Sequence, residues 1–357
     1  MCNPFKVGKL PIINGRKITI ALAGCGRIAE KHFHAITQHA SDIELVAVCD
    51  TDSQALAQAS AMTGVTGFAD YHSLLGNPGI DLIALCTPSG LHAQETIEAA
   101  SAGKHVITEK PMATSWQDGV QMVRACDDAG VRLFVVKQNR RNTTLQLLKR
   151  ALDEKRFGKI HIVHLNVFWS RPQSYYDQAA WRGTWELDGG AFMNQASHYV
   201  DLLEWLIGPV DKVQAMISTT RNIEVEDTGV MNIRWRNGAL GSMSVTMLTY
   251  PNNLEGSITI LGEKGSVRVG GVAVNEIQHW DFADSRDYDQ QVKSASYQTT
   301  SAYGFGHPLY YKNVIDVLRG QAEPETDGRE GLKSLEIIIA AYLSARDGTT
   351  ISLPLAY

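Results

Sequence analysis

The segment Gly24-Cys25-Gly26-Arg27-Ile28-Ala29 constrains this chain most. It follows the apolar run Ile18–Ala23 and precedes a helical stretch opening at Glu30. Gly24 permits a tight turn, Gly26 lets the backbone approach a ligand closely, and the small Ala29 lets the helix pack on the preceding strand. Free N–H groups and the positive end of the helix dipole then face the turn, which suits a pyrophosphate held beside Arg27 and Ile28. A lone GxGxxA string is weak evidence. Here the strand before it and the helix after it supply the context the pattern needs.

The same rhythm continues. Apolar runs Leu45–Cys49, Leu82–Cys86, Val106–Thr108 and Leu133–Val136 alternate with helical stretches such as His92–Ala102 and Ser115–Ala129, the latter stopped by Gly130. Runs this continuously apolar suit a parallel sheet covered on both faces, so residues 17–140 read as an α/β Rossmann fold. The second run ends at Asp50, 24 positions beyond Gly26. A carboxylate there accepts hydrogen bonds from ribose hydroxyls and repels a 2′-phosphate, and Thr51 brings no compensating charge, so the expected cofactor is NAD. The loop Thr87-Pro88-Ser89-Gly90-Leu91-His92 lies at the carboxyl end of the third run and faces the same crevice; its plainer reading is a turn that caps the next helix.

Beyond about Arg141 the texture changes to longer alternating segments: His161–Ser170, Lys212–Thr219, Thr228–Trp235, Gly241–Met247, Leu254–Leu261 and Ser266–Val269. Turn signals such as Arg236-Asn237-Gly238 separate them, as in antiparallel meanders. Residues 141–357 therefore read as an α+β domain with an open-faced, mainly antiparallel sheet that binds substrate and joins subunits, preceded in the chain by the nucleotide domain and an extension over 1–16. Helices are expected at Phe192–Ile207, Leu309–Arg319 and Arg329–Ala345, and the polar stretch Asp281–Thr300 reads as a long loop or subunit arm.

Composition narrows the partners. The 357 residues suffice for two cores, and a net charge of −5 argues against nucleic acid or an anionic membrane. No apolar run approaches the roughly 20 residues of a membrane span. Five cysteines with no CxxC pair fit a reducing compartment, and the expected location is cytoplasmic. His32, His34 and His39 suggest a metal cluster but are assigned to the exposed or subunit face of the first helix. His161 and His164, three apart on a strand, point to opposite faces. No metal is expected.

The fourth run leads into Thr108-Glu109-Lys110-Pro111. With the glycine turn and the Thr87–Pro88 loop, this EKP tripeptide resembles the glucose–fructose oxidoreductase/inositol dehydrogenase (Gfo/Idh/MocA) family over essentially the whole chain from Lys17. The resemblance implies that Lys110 contacts nicotinamide ribose and substrate, with Glu109 beside it at the cofactor. The family's second signature, GGxxxDxxxHxxD, stands here as Gly189-Gly190-Ala191-Phe192-Met193-Asn194-Gln195-Ala196-Ser197-His198-Tyr199-Val200-Asp201. Asn194 occupies the position where most members carry aspartate. It can orient a hydroxyl but cannot take its proton, which leaves His198 or Lys110 as the proton acceptor. On a helix Asn194 and His198 would share a face.

Shorter strings, namely Lys137-Gln138-Asn139-Arg140, Trp181-Arg182-Gly183-Thr184-Trp185, Met193-Asn194-Gln195 and Gly304-Phe305-Gly306-His307, resemble the WlbA/WbpB subgroup of that family, sugar-nucleotide 3-dehydrogenases of bacterial O-antigen (lipopolysaccharide) synthesis. This implies Gln138, Trp181 and Arg182 near the nicotinamide, a UDP-N-acetylglucosaminuronate substrate oxidised at C3, and a homo-oligomer, dimer or tetramer. Arg171, Tyr303 and His307 are candidates for holding the anionic sugar nucleotide, Arg171 through forked pairing with a carboxylate or phosphate; an ordinary surface arginine is the alternative. Other readings are a different sugar or inositol dehydrogenase and a non-catalytic NAD-sensing regulator.

Overall fold

The computed structural model describes residues 12–299 and 306–355, which fall into two compact units. The first takes the chain as far as Val136 and again over His307–Leu332; the second comprises Lys137–Gly306 and Lys333–Tyr357. The segment His307–Leu332, expected within a domain over 141–357, groups with the first unit. The helix His307–Leu318 buries Tyr310, Tyr311, Val314 and Leu318 in one core with Ile18, Ile20, Leu22, Ile107 and Phe134 of the first unit. Nothing in a 3.6-residue apolar repeat tells which of two sheets it will cover.

In the first unit, strands β1 (Ile18–Ala23), β2 (Ile43–Cys49), β3 (Thr66–Phe68), β4 (Leu82–Leu85), β5 (His105–Thr108) and β6 (Leu133–Val135) form one sheet in the order β3-β2-β1-β4-β5-β6. Every pairing is parallel. All four residues of β4 and of β5 are buried, and each large aliphatic side chain so covered contributes about 1.5–3 kcal/mol. The intervening helices are punctuated as their sequences dictate. Asp52 accepts the N–H groups of Gln54 and Ala55 at the head of Ser53–Thr63, and Ser115 caps Trp116–Ala129, which ends at left-handed Gly130. The strand order reverses between β1 and β4, the point where open α/β sheets bind ligands at their carboxyl ends.

The second unit holds β7 (Ile160–Phe168), β8 (Val210–Ser218), β9 (Thr228–Trp235), β10 (Leu240–Thr246), β11 (Glu255–Gly262), β12 (Gly265–Gly270), β13 (Glu276–Phe282) and β14 (Ile351–Ser352) in the order β13-β12-β11-β7-β10-β9-β8-β14. The central pair β7–β10 is parallel and the others are antiparallel. Burial alternates strictly along β9, with Gly229, Met231, Ile233 and Trp235 inward. Trp235 Nε1 donates to Leu203 O of the helix Ser197–Ile207, and Ala215 N donates to Ser344 Oγ of the helix Gly328–Asp347, so helices lie on that face. The opposite face carries exposed Met216, Val230 and Leu240 among Gln214, Asn232, Arg234 and Ser242.

The stretch Asp281–Thr300 carries secondary structure over its described part rather than forming a long loop. β13 runs into it, and a 3₁₀ turn Asp287–Gln291 and a helical turn Val292–Ala295 fold back against Leu147. Arg156, its side chain 1% exposed, organises this return. It donates from Nε to Asp284 Oδ1 at 2.9 Å and to both oxygens of Asp289 at 2.7 and 2.9 Å, with its guanidinium 4.0 Å from the Phe282 ring centroid. The segment's polarity is thus directed at one buried cation. Replacing Arg156 by alanine should cost about 2–3 kcal/mol, less than a fully buried pair because the two aspartates are partly solvated. It should also make amides of 281–295 exchange faster than those of β9; unchanged exchange there would contradict the anchoring role.

Candidate active site

The glycine turn is built by close approach. Gly24 sits at φ +89°, and a Cβ there would lie 2.5 Å from the Cys86 carbonyl carbon. Gly26, by contrast, faces open space, with nothing within 4 Å of an added Cβ. The Asp50 carboxylate braces the turn by accepting Cys25 N–H at 2.7 Å and Asp52 N–H at 2.8 Å. An open glycine backbone before the buried Ala29, with a half-buried carboxylate at the next strand end, is the cradle a dinucleotide needs. Gly24, Gly26, Arg27 and Ile28 would hold the pyrophosphate and Asp50 the ribose.

At the ends of β4 and β5 the two neighbouring loops are tied together. His92 is buried, with Nδ1 2.9 Å from Pro111 O and Nε2 3.0 Å from Thr87 O. Burial lowers its pKa and favours the neutral ring, which has one N–H, so it donates to one of these two carbonyls, between the Thr87–Pro88 loop and the Lys110–Pro111 turn, whose peptide bond is cis. Ser89 is buried beside it, whereas Leu91 is exposed. Thr87 Oγ1 donates to Glu95 Oε2 at 2.5 Å, and burial pushes the Glu95 carboxyl up to about 7.

Glu109 is also turned inward. Its Oε1 lies 3.0 Å from His32 Nε2 and 3.4 Å from His307 Nε2, and Oε2 accepts Lys110 N–H at 3.1 Å. Tyr311 Oη completes the chain at 2.7 Å from His32 Nδ1. Two placements are corrected here. His32 is fully buried rather than on the exposed face of its helix, where His34 does lie and His39 is half covered. His307 belongs to the first unit, packed edge-on to His32 at 5.4 Å. His32, Glu109 and His307 bring three metal-capable atoms within 4.8 Å of one another, and hydrogen bonding accounts for that proximity. Lys110 itself is half-buried.

In the second unit the Gly189–Gly190 signature opens a single π-helical turn, Ala191–Gln195, before the α-helix Ser197–Ile207. Ala196 N donates to Ala191 O across five residues at 2.8 Å. Asn194 and His198 are therefore not on one continuous α-helix, and the shared-face argument holds only in outline. A Cβ on Gly190 would fall 1.6 Å from Glu226 Oε2, so the second glycine makes room for a buried acid. Glu226 accepts Phe192 N–H and the Tyr342 hydroxyl, each at 2.9 Å, and burial raises its carboxyl to about 7.

His198 Nε2 lies 2.9 Å from Gln138 Nε2. With the amide donating, the ring accepts at Nε2 and keeps its proton on Nδ1. The last signature residue, Asp201, receives Arg140 through two 2.7 Å bonds and lies 3.5 Å from Lys137 Nζ. Burial opposes its ionisation, but Arg140 and Lys137 hold its carboxyl down at about 2. Asn194 donates its amide nitrogen to Asp188 Oδ1. Arg171 and Arg182 lie 5.4 and 4.3 Å from the centroid of one ring, Tyr175. Arg171 donates only to Ser170 O and Asn253 Oδ1, and Arg182 to Tyr175 O. Among the described residues neither pairs with a carboxylate. Trp181 is half-buried, with Arg182 5.3 Å over its ring. Tyr303 lies outside the described residues.

Residues 18–137 match the model described as an oxidoreductase family, NAD-binding Rossmann fold, and residues 149–353 match its C-terminal alpha/beta domain, both of the Gfo/Idh/MocA series. The chain belongs to the Gfo/Idh/MocA oxidoreductase family. It is similar to the WlbA dehydrogenase of Chromobacterium violaceum, solved with NADH and UDP-GlcNAcA, at 65% identity over 98% of this chain and 99% of that one, with a TM-score of 0.94. The WlbA dehydrogenase of Bordetella pertussis, solved with the same two molecules, is 62% identical over 96% of this chain and all of the other, again with a TM-score of 0.94. A D-apiose dehydrogenase of Paraburkholderia graminis is 26% identical over 93% of this chain and 89% of its own length.

Membership explains the EKP and Gly-Gly signatures, but several supporting side chains carry no motif of their own. Asp188 immediately precedes the Gly-Gly pair and Glu226 follows a polar turn, and neither sits in a pattern that announces burial. A periodicity signal exists for His32, which shares the inward face of its helix with Ala35 and Ile36.

Glu226 generates a pH prediction. Its folded-state pKa of about 7 exceeds the ordinary carboxyl value of 4.5, so the folded state holds a proton that the unfolded chain releases between those values. The associated stability is fully present below pH 4.5 and is lost as pH rises through 7. Glu226→Gln keeps the acceptor for Phe192 and Tyr342 while removing the ionisation. Its melting temperature should fall less between pH 5 and 8 than that of the unsubstituted protein, by roughly a few degrees. Parallel curves would contradict the assignment.

Proposed function

We propose that this oxidoreductase catalyses NAD-dependent oxidation of the C3 hydroxyl of UDP-N-acetylglucosaminuronate to the 3-keto sugar nucleotide. The observation that carries the reading is identity of 62–65% over nearly the whole chain to two dehydrogenases solved with NADH and UDP-GlcNAcA. The chemistry of the second unit supports it. Arg171 and Arg182, stacked on Tyr175 without acidic partners among the described residues, offer planar donors to a ligand that brings both phosphates and a carboxylate. The protein as a whole is acidic, so this local cation pair is a built exception.

NAD, when bound, accepts hydride from the alcohol carbon. The Gly24–Ile28 turn and Asp50 bind it, and the Thr87–Pro88 loop and Lys110 border it. We assign Lys110 to stabilise the developing negative charge on the reacting oxygen and His198 to take the hydroxyl proton. Gln138, 2.9 Å from His198 Nε2, orients the imidazole, and Asn194 orients the sugar. The outer face of the eight-stranded sheet, with exposed Met216, Val230 and Leu240, is the surface we assign to self-association into a dimer or tetramer. No helix among the described residues is long and apolar enough to cross a membrane.

The test is NADH formation with UDP-N-acetylglucosaminuronate, UDP-N-acetylglucosamine and myo-inositol. The uronate should react and the other two far more slowly. Arg171→Ala should lower kcat/KM for the uronate by roughly 30-fold or more while leaving the slow reaction of UDP-N-acetylglucosamine little changed. Equal rates for both sugar nucleotides, or turnover of inositol alone, would remove the uronate assignment.

A further inference from the structure

The side chain at position 194 is an amide, and an amide has two chemically different ends. Which end faces a substrate is decided by what holds the other. Asp188, 1% exposed, settles this within the second unit. One of its oxygens, Oδ2, accepts Gly183 N–H at 2.7 Å, and the other, Oδ1, accepts the Asn194 amide nitrogen. A carboxylate receiving two N–H groups is an acceptor only, so it takes the NH₂ end of Asn194 and turns the carbonyl oxygen away from itself. The backbone helps to fix the arrangement. Asn194 N donates to Gly190 O at 2.8 Å inside the π turn, and Asp188 N is held by Thr184 O at 3.2 Å.

We propose that Asp188 is a positioning residue of the reaction. It pins Asn194 so that the site offers the sugar a neutral hydrogen-bond acceptor, while the negative charge of the pair stays buried one side chain behind. The inference rests on the substrate reading above and deepens it. An acceptor at Asn194 aligns a hydroxyl by receiving its hydrogen bond without removing the proton, so proton removal is left to His198 or Lys110.

The pair is asymmetric in charge but nearly symmetric in shape, which makes the proposal testable by exchange. Asn194→Asp sets two carboxylates in hydrogen-bond reach of each other. Asp188→Asn removes the carboxylate that takes the NH₂ end of Asn194. In the double variant the amide at position 188 accepts Gly183 N–H through its oxygen and donates its NH₂ to the carboxylate at position 194, so these two bonds are remade with one charge present. On UDP-N-acetylglucosaminuronate and NAD, each single variant should lose about tenfold or more in kcat, and the double variant should exceed both singles by about tenfold, a coupling within the range for touching residues. The KM for NAD should stay within about twofold throughout, because the cofactor cradle lies in the other unit. Should Asn194→Asp fail to fold, the comparison of Asp188→Asn with the double variant decides alone, since the second substitution must then raise turnover. A double variant no better than the worse single, or a fully active Asn194→Asp enzyme, overturns the proposal. If the unsubstituted protein does not oxidise the uronate, the substrate reading fails separately, and the same four proteins are compared on whichever alcohol reduces NAD.

Discussion

A carboxylate buried in apolar surroundings persists as an anion only when hydrogen bonds replace its lost water. Glu109 has three such bonds: from His32 in the helix that follows the glycine turn, from His307 at the head of the returning helix, and from the amide of Lys110. Burial opposes its ionisation, but the bonds from His307 and His32 outweigh that and hold the carboxyl well below the usual range. The nucleotide-binding unit depends on this anion. It joins the first helix, the end of β5 and a segment almost two hundred residues later in one satisfied cluster, and it sets the peptide that carries Lys110. His92 is likewise buried between Thr87 O and Pro111 O, packing the two loops at the ends of β4 and β5 around one imidazole.

The second unit treats its buried acids in two opposite ways. Asp201 is paired with Arg140 and Lys137 and is held ionised. Among the described residues the Glu226 side chain accepts a backbone amide and a tyrosine hydroxyl, and burial raises its carboxyl to about 7. The difference follows from partners, since both side chains are almost fully covered. Asp201 lies three residues beyond His198 and anchors its helix, while Glu226 fills the space left by Gly190 and supports the turn that presents Asn194. The signature motif is thus framed by one carboxyl held ionised and one whose ionisation burial opposes.

Legibility from sequence tracks how local each physical cause is. β1 and β9 have the bounds the apolar pattern predicts, and the caps at Ser115 and Gly130 are readable because capping is a matter of adjacent residues. The three-residue edge strand β3 has a central glycine and too little length for any period to show. β13 and the turns after it resemble an arm in sequence because their polar side chains converge on Arg156, a partner more than a hundred positions away. The motif residues Lys110, Asn194 and His198 are visible as chemistry. Their supporters are not: Asp188, Glu226, His32 and the true place of His307 are set by tertiary contacts that no spacing encodes. The π turn at Ala191–Gln195 likewise escapes a reading built on 3.6 residues per turn.

The account centres on hydride leaving C3 of the sugar, and isotope transfer tests that most directly. UDP-N-acetylglucosaminuronate carrying deuterium at C3 alone would be incubated with the enzyme and NAD, and the reduced cofactor analysed by mass spectrometry after a single turnover. The account predicts that the cofactor gains one mass unit relative to the unlabelled reaction, with the uronate ring retained as a 3-keto sugar. Reduced cofactor without deuterium would place the oxidation at another carbon and contradict the assignment.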